Sequence, residues 1–88
     1  MVNNRRSEIE IIGQILNLSR SGVKKTEILY QCNLSYTQLC KYLDFLLYKE
    51  VLVEEALENN GNSNKQYKLT DKGNLFLKDI NRVLVHLV

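Results

Sequence analysis

The first regular pattern along the chain is an apolar stripe with helical spacing from Ser7 to about Ser19. Polar residues such as Glu8 and Gln14 fall mostly between its members, which predicts an amphipathic helix with one face on a core. The dipeptide Ser21-Gly22 ends this helix, and Val23 begins a short extended stretch able to pair with a later hairpin. The apolar members of the stripe are Ile9, Ile12, Ile15, Leu16 and Leu18.

Two further helices are predicted in the next segment. A short helix 2 covers 26–31, and Cys32-Asn33-Leu34 interrupts it. Ser35 and Gln38 then match a capping box, in which the serine hydroxyl accepts a hydrogen bond from the backbone three residues on and the glutamine side chain reaches back. Helix 3 is therefore predicted to begin at Tyr36. Two helices joined by so short a turn are typical of a helix-turn-helix.

The second half of the chain alternates between β-forming residues and turn formers. The segment 51–57 is β-rich, 59–64 is a polar cluster containing Asn-Gly, and 66–69 forms a second short strand. This pattern predicts a hairpin with a long polar tip, a wing. Thr70 is placed to cap a last helix, which is predicted over 71–88.

These elements predict one domain over 1–88, of the α+β class and mostly α. It has a three-helix core, a two-stranded wing hairpin and a C-terminal helix 4. The two cysteines, Cys32 and Cys40, are interpreted as packing residues. No run of apolar residues is long enough to cross a bilayer, and the N-terminus lacks the apolar stretch of a signal peptide, so we expect a cytoplasmic protein.

The order of elements resembles the winged helix-turn-helix fold, and more closely archaeal winged-helix regulators and their coiled-coil relatives among chromatin proteins. The match runs from about Arg6 to Val88. The resemblance implies DNA binding through helix 3 and the wing, and dimerisation through helix 4, often as an antiparallel coiled coil. The stretches that carry it are 25–29, 33–39 with Tyr42, Leu43 and Leu46, and 67–73 with Phe76 and Leu77.

The formal net charge is only +2, from 12 basic and 10 acidic residues, so the positions of the charges matter more than their sum. On a helical wheel, helix 3 places Leu39, Leu43, Leu46 and Leu47 on one arc, which predicts the core-facing stripe. The opposite arc, with Gln38 at its edge, holds Thr37, Lys41, Asp44, Phe45 and Tyr48.

Base contacts are expected from the first two turns of helix 3, because helix-turn-helix proteins read base edges mainly there. Gln38 suits adenine, Lys41 suits guanine or a phosphate, and Thr37 suits a thymine methyl group or a phosphate. Gln38 has a competing role in the cap, and Tyr36 is either a groove contact or a lid over the core. Ser35 is the cap that orients this helix.

Phosphate contacts are expected from Lys24 and Lys25, from the unpaired amides at the start of helix 2, and from the Thr26 hydroxyl. The wing adds Lys65, Lys68 and tip asparagines, of which Asn62 and Asn64 are the candidates. With Lys41, these lysines predict five positive charges on one side of the domain and strongly salt-dependent binding. The acidic residues of the hairpin are expected to face elsewhere, since they would repel DNA; they are Glu54, Glu55 and Glu58.

Helix 4 carries more apolar residues than one domain can cover. Alternating spacings of four, three and four predict the seam of a coiled coil, and hence a homodimer. The alternative is a core helix with a frayed end. The predicted interface residues are Phe76, Ile80, Val83, Leu84 and Leu87.

The first functional hypothesis is thus binding to double-stranded DNA. The second is a protein-interaction module without DNA binding, in which Tyr36, Phe45 and Tyr48 form an aromatic contact surface. The sequence offers no nucleophile–base pair, glycine-rich phosphate loop or set of zinc ligands, so it predicts neither an enzyme nor a bound cofactor or metal. The single histidine, His86, lies on the apolar last helix and is interpreted as an interface or rim residue.

Overall fold

The structure, a computed structural model, describes the backbone of residues 7–59 and 62–87, and their side chains except 58, 59, 62–64 and 87. A single 3₁₀ turn, Ser19–Ser21, follows the first helix. The predicted class is confirmed: the described chain is mostly helical with one hairpin. Its elements are α1 Glu8–Leu18, α2 Lys25–Gln31, α3 Tyr36–Tyr48, β1 Leu52–Asn59, β2 Asn62–Leu69 and α4 Asp71–Leu87.

Side-chain caps fix three of the helix starts. The Glu10 amide donates to the Ser7 hydroxyl over 3.2 Å at the start of α1. The Gly73 amide donates to the Thr70 hydroxyl over 2.9 Å at the start of α4, as predicted. Such bonds satisfy amides that have no partner inside the helix. Helix α2 begins at Lys25, one residue before its predicted start.

Two residues in left-handed backbone conformations set the chain direction around α3. Asn33, with φ 53°, lies in the turn before α3, and Glu50, with φ 62°, lies in the turn after it. Asparagine tolerates this region better than most residues, which suits it to the short turn between α2 and α3. The turn is closed by the Leu34 amide, which donates to the Leu29 carbonyl over 3.1 Å.

The strands of the hairpin are longer than the sequence predicted. Antiparallel pairing runs from Leu52↔Leu69 out to Asn59↔Asn62, so most of the predicted polar tip is paired strand. The pairing continues through asparagine, a residue of low β-propensity, because β-propensity depends strongly on context. The predicted extended stretch is confirmed, because Val23 pairs with Tyr67 through two backbone bonds of 2.9 and 2.8 Å.

One core joins the helices to the base of the hairpin. Gly73 lets the start of α4 lie against the backbone of Val51, the residue just before β1. A Cβ at position 73 would overlap the Val51 carbonyl. Gly13 also lets α1 approach α4 closely, since a Cβ there would lie only 3.2 Å from Ile80 Cγ2. The largest fully buried side chains are Ile15, Leu16, Ile28, Leu39, Leu46, Leu77, Cys32 and Ser19.

Candidate nucleic-acid interface

Helix α3 divides into a buried stripe and an outward face, as its periodicity predicts. Leu39, Leu43 and Leu46 are buried, while Leu47 is half-buried. The residues predicted to read bases in its first two turns are all exposed, including Tyr36 at 61%. Tyr36 is therefore not a lid over the core. Those residues are Tyr36, Thr37, Gln38 and Lys41.

The Gln38 side chain belongs to the cap of α3. Its Oε1 accepts a hydrogen bond from the Ser35 amide over 3.0 Å, and the Gln38 amide donates to the Ser35 hydroxyl over 3.2 Å. The two roles that the sequence left open for this residue are thus decided for the free protein. The side-chain oxygen of Gln38 is bound to the Ser35 amide. Recognition of adenine needs both the oxygen and the nitrogen of the side-chain amide, so one of the two groups is already in use.

The start of α2 carries the basic residues predicted to meet phosphate. Lys24 and Thr26 are exposed and Lys25 is half-buried. The amide of Lys24, the residue just before α2, donates to the Glu27 carboxylate over 3.1 Å. That carboxylate lies at the positive end of the helix, where it offsets part of the attraction of the helix dipole for an anion.

Side chains from α2, α3 and the wing meet in a group that we call the wing–helix cluster: Lys25, Tyr36, Glu54, Lys65 and Tyr67. The Lys25 ammonium lies 5.6 Å from the centre of the Tyr36 ring. The Tyr67 hydroxyl donates to Glu54 Oε2 over 2.9 Å, and Lys65 Nζ lies 3.4 Å from Glu54 Oε1. The cluster brings two predicted phosphate ligands and one predicted base contact beside a carboxylate.

Two pKa shifts describe the electrostatics of the cluster. The hydrogen bond from Tyr67, aided by Lys65 and Lys25, lowers the pKa of Glu54 below its ordinary value. Burial and the adjacent Glu54 carboxylate raise the pKa of Tyr67 to about 12. Glu54 is therefore ionised and Tyr67 protonated at neutral pH, which is the pair of states that their hydrogen bond requires.

The position of Glu54 corrects the expectation that the acidic residues of the hairpin face away from the basic side chains. Side chains alternate along a strand, so Glu54 shares a face with Leu52 and with its partner Tyr67, which packs on the core. The sequence contains the signal for this placement, because Glu54 follows the apolar Leu52 by two positions and residues two apart in a strand share a face. Glu55, on the other face, accepts a hydrogen bond from Gln66 Nε2 over 3.1 Å.

The five predicted lysines do not form one patch. Lys65 pairs with Ala56 on the face of the wing that carries Glu54, whereas Lys68 pairs with Val53 on the opposite face. The hairpin thus separates Lys68 from the wing–helix cluster. The side chains of Asn62 and Asn64, also predicted to contact DNA, lie outside the described residues.

Lys41 borders a groove between α1 and α3 that sequence reasoning missed. The groove has a volume of about 390 Å³ and places Glu8, from the first turn of α1, on the same surface as Lys41. Periodicity alone gives no signal for this neighbour, because it depends on how α1 packs on α3. The remaining lining residues are Ile12, Gln38, Tyr42 and Phe45.

The outward face of α3 continues beyond the first two turns, from which base contacts are expected. Phe45 is 44% exposed and Tyr48 is 80% exposed. Lys49 Nζ lies 5.9 Å from the Phe45 ring centre and 5.6 Å from that of Tyr48. The second half of α3 therefore both packs on the core through Leu46 and presents aromatic surface.

The predicted dimer stripe on α4 is partly used inside this chain. Ile80 is 3% exposed and packs near Gly13 of α1, and Leu84 is half-buried at the same place. Ile80 therefore belongs to the core and not to a free surface. Phe76 and Val83 stay exposed at 37% and 43%, while the side chain of Leu87 lies outside the described residues.

Within 7–59 and 62–87, no helix combines the length and apolar character needed to cross a membrane. Over the side chains described there, no three histidine, cysteine or acidic groups are arranged to hold a metal ion.

A three-helix core, a turn between α2 and α3 and a wing beside α3 define a winged-helix domain. The chain belongs to the winged helix-turn-helix family, whose model matches residues 5–86. This membership agrees with the prediction of a binding protein rather than an enzyme. An uncharacterized protein of Methanocaldococcus jannaschii is 41% identical over 44 residues, which are 49% of this chain. That match spans 45% of the relative's length, so less than half of the relative is compared.

Solved structures share the fold over nearly the whole chain. Sso10a-2 from Sulfolobus solfataricus, described as a DNA-binding protein, has a TM-score of 0.75 and 28% identity, covering 90% of this chain and 79% of its own. A Streptococcus mutans protein has a TM-score of 0.88 at 20% identity, covering 98% and 86%. A PadR family transcription regulator from Clostridium difficile has a TM-score of 0.78 at 19% identity, covering 92% and 91%. The last two likenesses concern the fold alone.

Proposed function

We propose that this chain binds double-stranded DNA, as a transcription regulator or a chromatin-associated protein. The first two turns of α3 enter the major groove, and the wing follows the backbone or the minor groove. The observation that carries the proposal is the exposed start of α3, where the Lys25 ammonium of α2 lies 5.6 Å from the Tyr36 ring. Lys25 acts electrostatically on Glu54 of the wing, and Glu54 in turn pairs with Lys65. The likeness to Sso10a-2, described as DNA-binding, supports it.

Affinity in this proposal comes mainly from phosphate contacts, and sequence preference is weak. Tyr36, Thr37 and Lys41 are the exposed side chains with polar groups in the first two turns that the cap does not engage, since Gln38 is bound to Ser35. Few groups are then left to form the bidentate contacts that distinguish bases. Footprinting on genomic and random DNA tests this: a discrete protected site at nanomolar protein would contradict weak preference.

A charge-matched pair of variants tests DNA binding itself. Alanine at Lys24, Lys25 and Lys41 removes three cations from the proposed interface. Alanine at Lys72, Lys78 and Arg82 removes three exposed cations from α4. We expect the first variant to lose at least about tenfold in duplex affinity near 50 mM salt, because each phosphate contact releases counterions, and the second to lose much less.

Full affinity in the first variant, or no duplex binding by the wild type, would contradict the proposal. The second result would favour the protein-interaction hypothesis, in which the exposed aromatic rings of Tyr36, Phe45 and Tyr48 form the contact surface. Exposed aromatic side chains are common anchors of protein interfaces.

We further propose a homodimer through α4, acting at the nucleoid in the cytoplasm, in an archaeal cell. Phe76 and Val83 lie seven residues apart on one flank of the helix, both exposed, and so form an apolar stripe that a second copy would cover. Relatives from Methanocaldococcus and Sulfolobus support the archaeal assignment.

Sedimentation of two variants tests the dimer. Val83 and Val85 are both exposed, at 43% and 72%, but two positions along a helix turn the side chain by about 200°. We expect V83E to sediment as a monomer and V85E to self-associate like the wild type. Equal behaviour of the two variants, or a monomeric wild type, would contradict dimerisation through this stripe.

A further inference from the structure

An acidic side chain lies within the surface that the proposed function assigns to DNA phosphate. Glu54 is held by the hydroxyl of Tyr67, a residue that is 3% exposed and belongs to the core. Its other oxygen faces Lys65 Nζ at 3.4 Å, and the carboxylate side chain is still 37% exposed. Glu54 is thus anchored on one side and open to solvent on the other.

We propose that Glu54 is a built-in competitor of DNA phosphate, which engages Lys65 in the free protein and lowers the affinity for any duplex. The inference rests on the proposed function. A phosphate that approaches Lys65 must displace the Glu54 carboxylate from the ammonium and then remain close to it. Both steps weaken binding, the first through the lost ion pair and the second through repulsion of like charges.

The alternative, that Glu54 positions Lys65 for DNA, is disfavoured by the geometry. The ion pair is solvent-exposed, at 61% for the Lys65 side chain, and pairs of this kind hold long side chains only weakly. The negative charge, in contrast, is permanent at neutral pH, because the Tyr67 hydrogen bond lowers the pKa of Glu54. Its repulsion of phosphate acts over about 8 Å at physiological salt.

The neighbouring carboxylate supplies a matched control. Glu55 has the same charge and is next in sequence, but lies on the opposite face of the wing and accepts a hydrogen bond from Gln66. Replacing either residue by glutamine changes the net charge equally. A difference between E54Q and E55Q therefore reports the position of the charge, not its removal.

The test is fluorescence anisotropy of a labelled random-sequence duplex with wild type, E54Q and E55Q, at about 50 to 200 mM salt. We expect E54Q to bind about three- to fivefold more tightly than the wild type, the range of an exposed ion pair. E55Q is expected to stay within about twofold. The salt dependence of E54Q should steepen by about one released counterion, because Lys65 becomes available to phosphate.

The double variant E54Q/K65Q tests the link to Lys65. We expect E54Q to gain less affinity in the K65Q background than alone, since the cation that Glu54 withholds is then absent. Equal affinities of wild type and E54Q, or equal gains in E54Q and E55Q, would overturn the inference while leaving DNA binding intact. If neither the wild type nor any of the variants binds duplex DNA, both the proposed function and this inference are overturned. Circular dichroism confirms that the variants fold.

Discussion

Ser35 and Gln38 exchange two hydrogen bonds at the start of α3, of 3.0 and 3.2 Å, and so fix the first turn of the helix that is proposed to meet DNA. The same two residues decide where α3 begins and how much of it is left to read bases. Gln38, for which the sequence allowed either a base contact or a role in the cap, is part of the cap.

Removing this cap should destabilise the domain. We expect S35A to lower the free energy of unfolding by about 0.5–2 kcal/mol, because an amide of the first turn loses its partner. Urea unfolding measures it, with T37A as the control at an exposed neighbour that makes no cap, expected within about 0.5 kcal/mol of wild type. Equal stability of S35A and T37A would show that the cap contributes nothing.

Gly73 should not tolerate a side chain. Alanine is favoured over glycine inside helices by about 1 kcal/mol. Here, however, the added Cβ would overlap the Val51 carbonyl. We expect G73A to lower the thermal midpoint through an overpacking cost of about 1–3 kcal/mol. N74A, at the exposed next position, should leave the midpoint nearly unchanged; a G73A midpoint at or above wild type would contradict the close contact between α4 and Val51.

Two apolar residues three positions apart on α4 should behave differently. Ile80 is 3% exposed and Val83 is 43% exposed. We expect I80A to cost about 2–5 kcal/mol of folding free energy, as for a buried aliphatic side chain. V83A should cost little at protein concentrations too low for self-association. Chemical denaturation at low concentration measures both, and similar losses in the two variants would place Val83 in the core as well.

The two wing lysines should contribute unequally to DNA binding. Lys65 lies on the face of the wing–helix cluster and Lys68 on the opposite face. In the E54Q background, where Lys65 is available to phosphate, we expect K65Q to weaken duplex binding by about two- to fourfold and to reduce the salt slope by about one, while K68Q has a smaller effect on both. Anisotropy titrations at two salt concentrations compare them. A larger loss in K68Q would mean that the other face of the wing meets the DNA.

The Glu54–Tyr67 pair should make stability depend on acid pH. The pKa of Glu54 is lowered in the folded chain from an ordinary value of 4.5. The stabilisation is therefore fully present above that value and is lost as pH falls through the lower folded pKa. We expect the stability difference between wild type and E54Q, measured by urea unfolding, to shrink as the pH is taken from 6 towards 3. A difference independent of pH would contradict ionisation as its source.

The sequence by itself determined the elements and their order, because the signals for them are local. The apolar spacing of α3, the Ser35 cap and the turn at Asn33 act within a few residues, and each gave the observed element nearly to the residue. The extended stretch at Val23 was also expected from its place after Ser21-Gly22, whereas its pairing with Tyr67 is a contact between distant parts of the chain.

Only the tertiary structure decided which side chains share a surface. Strand register placed Lys65 beside Glu54 and Lys68 away from it, and the close approach of α1 to α4 at Gly13 placed Ile80 in the core. These outcomes depend on contacts between elements far apart in the chain. The spacing of residues within one element does not specify which side chains of a distant element will lie beside it. Charge and exposure at the proposed interface are properties of that packing.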